Sequence, residues 1–126
     1  MKNFMILALC LIILVTSSVM QLNYLCSTSK YLISDVEYIE NLVRNGSYNK
    51  ALNHCSQLEN TWENMSNMWG VFINYSETDI LKEHMVRLKE SIEIEDESSV
   101  YVNVALIINK LKGVVRKQEP HLESVF

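Results

Sequence analysis

Residues 48–72, YNKALNHCSQLENTWENMSNMWGVF, decide the fold. Tyr48, Ala51, Cys55, Leu58, Trp62, Met65, Trp69 and Phe72 recur in alternating steps of three and four residues. That spacing places them on one side of an α-helix, as a seam that packs against another helix at a shallow crossing angle. Asn45, Gly46 and Ser47 stand just before it, where Gly46 closes the preceding helix and Ser47 caps the next one. The helix is therefore expected to begin near residue 47.

Towards the N-terminus, Leu22, Leu25, Leu32, Val36, Ile39 and Val43 continue a stripe in which Ser29 is the one polar member. Towards the C-terminus, Ser76 with Glu77 and Asp79 reads as the cap of a third helix carrying Leu81, Met85, Leu88 and Ile92. Glu83 and Arg87 form a favourable i, i+4 pair on its surface. Asp96 or Ser98 opens a fourth helix with Tyr101, Val104, Ile108, Leu111 and Val115 on its stripe, and Pro120 ends it. Four amphipathic stretches joined by short polar turns predict an all-α, antiparallel bundle of about four helices, with Trp62, Met65, Trp69, Phe72, Leu88 and Leu111 in its core. Tandem tetratricopeptide-like hairpins are the alternative, and no repeat of about 34 residues supports them.

The first helix has a leader of different character. Phe4 to Val15 is an unbroken apolar run, and no charge occurs between Lys2 and Lys30. Phe4 to Leu22 matches the ~20 residues that cross a bilayer. The reading is a transmembrane signal-anchor over residues 1–22 and a helical domain over 23–126. A cleaved signal peptide competes, with Thr16 and Ser18 flanking the cleavage site; against it, the stripe of the next segment begins before the apolar run has ended. Lys2 and the amino terminus on one side, against Lys30, Asp35, Glu37 and Glu40 on the other, lead to the expectation of a cytoplasmic N-terminus, with the rest of this single-pass chain outside the cell membrane.

Eleven Lys and Arg against fifteen Asp and Glu give a net charge of -4, which disfavours nucleic-acid partners. The basic group Lys110, Lys112, Arg116 and Lys117 complements the dipole at a helix C-terminus, a lipid or phosphate patch being the sharper but less favoured reading. Three cysteines form an odd set. Cys26 and Cys55 lie about 15 Å apart along a hairpin folded at Gly46, too far for a disulfide.

No residue pattern announces catalysis. His54, His84 and His121 fall on separate segments without ligand spacing, so neither a metal nor a cofactor is expected. No nucleophile elbow occurs, and three glycines in the whole chain leave no phosphate-cradling loop. Glu59 and Glu63 share a helix face and read as solvated. An enzyme is not expected.

Trp62 with Trp69, then Phe72-Ile73-Asn74-Tyr75-Ser76-Glu77, then Arg87-Leu88-Lys89 with Ile92, and a terminal Leu122-Glu123-Ser124-Val125-Phe126 form a diffuse pattern. On these residues the chain resembles a family of clostridial and bacillus-type membrane proteins, domain of unknown function 4363. The resemblance implies a bacterial membrane protein without assigned chemistry, often encoded beside membrane proteins of another family, domain of unknown function 421. The expected function is a non-catalytic accessory or interaction module for another membrane protein, with Leu25, Leu32 and Val36 as its partner surface. An extracytoplasmic ligand-binding or sensing module, using an aromatic cleft beside Trp62, Trp69 and Phe72, is the alternative.

Overall fold

The three- and four-residue steps become buried faces in the computed structural model, which describes the backbone of residues 1–72 and 75–118 and the side chains of residues 1–70 and 76–116. Four helices follow one another: α1 (Lys2–Arg44), α2 (Tyr48–Phe72), α3 (Tyr75–Glu93) and α4 (Glu97–Gln118). Each packs against its neighbours in sequence, and α4 returns to pack against α1. That closure makes an up-down bundle; a row of tetratricopeptide-like hairpins would leave first and last helices apart.

Two of the turns are built alike. At the end of α1, Gly46 adopts φ 77°, its N–H donates to the Val43 carbonyl, and the Ser47 N–H donates to the Leu42 carbonyl. This paired arrangement satisfies carbonyls that the helix end would otherwise leave without donors. Glu95 takes the same place after α3 with φ 55°, while the Glu95 and Asp96 N–H groups donate to the Ile92 and Ser91 carbonyls. Asp96 then caps α4, accepting from the Ser99 N–H at 3.3 Å and the Ser99 hydroxyl at 2.7 Å. Those bonds to the carboxylate, the hydroxyl first, hold its pKa below the ordinary value.

Leu25, Leu32, Val36, Ile39, Ala51, Cys55, Leu58, Trp62, Trp69, Leu81, Met85, Leu88, Ile107 and Leu111 form one continuous core. The Trp62 and Trp69 rings meet edge to face at 5.2 Å. Met65 is half-buried against that core, and the Phe72 side chain lies outside the described residues, as do Pro120, His121 and the terminal motif.

Three details differ from the sequence reading. The buried face of α4 keeps the expected Val104 and Leu111 but has Val100, Ile107 and Val114 in place of Tyr101, Ile108 and Val115, which are only half-buried. Tyr101 is held outwards because its hydroxyl donates to Glu97 and its ring lies under the Arg44 guanidinium at 4.9 Å. Helix α3 already includes Tyr75, so it begins before Ser76, the expected cap. Glu59 is partly buried, with Lys89 4.0 Å away, whereas Glu63 stands in solvent.

The core also encloses polar groups that apolar periodicity does not register. Asn103 donates to the Ser91 hydroxyl at 3.0 Å and to the Ser99 carbonyl at 2.9 Å, and Ser91 donates to the Arg87 carbonyl. Buried amide and hydroxyl are thereby paired, joining α3 to α4 at one register.

Candidate functional site

The first half of α1 has nothing packed on it. Phe4, Leu7, Leu11, Leu14 and Met20 are each more than half exposed, and the exposure runs around the whole helix. A core helix would bury one stripe; here the 18-residue window of mean hydropathy 2.4 has none of its residues buried. Two of the three hydroxyls in this stretch fold back onto the helix backbone, Thr16 donating to the Ile12 carbonyl at 2.8 Å and Ser18 to the Leu14 carbonyl at 3.0 Å. By length and composition this is one helix able to cross a membrane, a test that a signal sequence also passes.

The same helix then enters the bundle without a break, and its outward side changes chemistry. Tyr31 and Tyr38 are about half exposed, seven residues apart on one face. Tyr38 lies edge to face on His54 at 4.8 Å, and His54 Nε2 stands 3.1 Å from Asp35 Oδ1 across the α1–α2 boundary. This Asp–His pair escaped the sequence reading because its members are nineteen residues apart. Only the hairpin fold at Gly46 brings them level.

Between α1 and α4, near the point where α1 enters the bundle, lies a groove of about 330 Å³. Cys26, Ile33 and Val115 form its apolar floor, and Lys30, Lys112 and Arg116 line it with exposed side chains. Among the described residues none of these three cations has a carboxylate within ion-pair distance, whereas Lys110 reaches Glu77 at 3.5 Å.

The expected partner surface is corrected by burial. Leu25, Leu32 and Val36 have no exposed area, because α2 and α4 cover the stripe they form. They are core residues of the bundle and cannot meet a partner. Trp62 and Trp69 are likewise buried, and the recesses beside Trp62 hold only about 20 and about 130 Å³. Ligand pockets usually exceed ~300 Å³. Cys55 is enclosed, and burial first, then the Glu59 charge, pushes its thiol up to about 12, which keeps it a protonated packing group. Among the described residues no three His, Cys, Asp or Glu side chains stand close enough to share a metal ion.

Neither a curated protein nor a solved structure matches the chain. A family model does, over residues 19–125, so the match takes in the end of the apolar stretch, the groove and all four helices. On that match the chain belongs to the family described as Domain of unknown function (DUF4363).

Proposed function

We propose that the protein is a membrane-tethered, non-catalytic accessory module that holds its bundle against another integral membrane protein on the extracytoplasmic side. The observation that carries this reading is the all-round exposure of the apolar first half of α1. Contiguous apolar surface of that size is not left in water by soluble monomers. A bilayer covers it, and neighbouring transmembrane helices can share it. Lys2 and the amino terminus before the span, against Lys30, Asp35, Glu37 and Glu40 after it, support an orientation with the N-terminus in the cytoplasm. With Leu25, Leu32 and Val36 enclosed, the contact falls to the span itself and to the outward Tyr31 and Tyr38, aromatic side chains of the kind enriched at interfaces. Shared confinement to the membrane raises effective concentration, so a weak helix contact suffices.

Photo-crosslinkers placed at Leu7, Leu14 and Tyr31 in intact membranes test this. The expected product is an integral membrane protein joined to the full chain, lost when residues 1–22 are replaced by a soluble tag. A carbonate wash should leave the chain in the membrane fraction. A mature N-terminus near Val19 in the soluble fraction would overturn the tether.

A further inference from the structure

We infer that the α1–α4 groove holds the headgroup of an anionic phospholipid, with Lys30, Lys112 and Arg116 around the phosphate and Cys26, Ile33 and Val115 against the first apolar atoms below it.

Lys112 and Arg116 alone would not require this, because cations near the end of α4 complement its dipole. Lys30 has no such reason, lying in the interior of a 43-residue helix. It shares a groove with the other two, and like charges four residues apart on α4 repel each other. Three cations gathered, among the described residues, without a carboxylate in ion-pair distance make a place suited to an anion from outside.

Position selects the kind of anion, and here the inference rests on the tethering reading. With Leu22 at the edge of the hydrocarbon, Lys30 stands about 12 Å further along α1, and its long stem can reach back towards the headgroups. Helix α4 runs back along α1, from Tyr101 beside Arg44 to Arg116 beside Cys26, so Arg116 lies nearer the bilayer than Lys112. The apolar floor suits a glycerol backbone better than a free ion. The acidic turn Glu93, Glu95, Asp96 and Glu97 lies at the far end of the bundle, and Glu63 and Asp79, at the near end, stand on α2 and α3 outside the groove lining.

The test uses the full chain in a neutral detergent, titrated with dioctanoyl phosphatidylglycerol while melting is followed by circular dichroism. A saturable rise in melting temperature is expected, absent with dioctanoyl phosphatidylcholine and with inorganic phosphate. Lys30→Gln and Arg116→Gln should each raise the half-saturating concentration about fivefold. Arg116→Lys should retain most of the affinity, and Lys50→Gln, at the opposite end of the bundle, should change nothing. An equal rise with phosphatidylcholine, the whole rise with phosphate alone, or unchanged affinity in the Lys30→Gln/Arg116→Gln double variant would each overturn the inference. Crosslinking and carbonate extraction do not depend on lipid headgroup, so the tether stands or falls separately.

Discussion

The indole N–H of Trp69 donates to the Thr28 hydroxyl at 3.0 Å, and that hydroxyl donates in turn to the Tyr24 carbonyl at 2.8 Å. A seam residue of α2 is thus fastened to α1 at the level where the exposed apolar stretch gives way to the bundle. The ring supplies apolar area and the N–H needs an acceptor, which Thr28 provides.

Replacing Thr28 by Val should therefore cost about 1–3 kcal/mol, because it strands a buried donor. Trp69→Phe, which removes the donor instead, should cost about 1–2 kcal/mol, and Trp69→Ala about 3–5 kcal/mol. Thr28→Val in the Trp69→Phe background should cost less than it does alone. Urea unfolding of the full chain in neutral detergent measures all four variants, and strict additivity would show that the bond contributes nothing.

Glu95 occupies the left-handed region with φ 55°, where a side chain costs about 1–2 kcal/mol and glycine costs little. Glu95→Gly should stabilise the bundle by about 1 kcal/mol, after the extra freedom gained by the unfolded chain is counted. Gly46→Ala should lose a similar amount, about 1 kcal/mol. Nothing lies within 4 Å of a Cβ added there, so that cost is conformational rather than steric. Opposite shifts in melting temperature are the expected readout.

Cys55 gives a prediction in alkali. Its folded pKa of about 12 lies above the ordinary value of 9.0, so the folded state keeps its proton where the unfolded state loses it. The stability linked to this proton is complete below pH 9.0 and is withdrawn as pH rises from 9.0 to about 12, by at most about 1.4 kcal/mol per pH unit. Cys55→Ala should begin less stable and show a shallower decline over that window. In the native chain at pH 8, iodoacetamide should leave Cys55 unmodified, and in the unfolded chain it should not.

The sequence carried most of the fold because α2 has one apolar face and one polar face. Cys55, Leu58 and Trp62 have polar neighbours on both sides, so nothing adjacent competes for the core, and the structure buries all three. In α4 the pairs Val100–Tyr101, Ile107–Ile108 and Val114–Val115 offer two adjacent apolar positions each, so period alone cannot choose between them. The choice is made by contacts between distant residues, such as Arg44 over Tyr101. The same limit hid the groove. Lys112 and Arg116 were visible as a basic group, but Lys30 joins them only because α4 turns back to α1.

Helix α1 runs from Lys2 to Arg44 with no break in its hydrogen bonding, a length of about 64 Å. Such a helix behaves as a shaft. Adding one residue near position 21 would lift the bundle by about 1.5 Å and swing it through about 100°, pointing the α1–α4 groove and the Tyr31–Tyr38 face in new directions. Whatever grips residues 1–20 therefore also sets the compass bearing of everything above them, and a twist applied to that segment is delivered to the bundle undiminished.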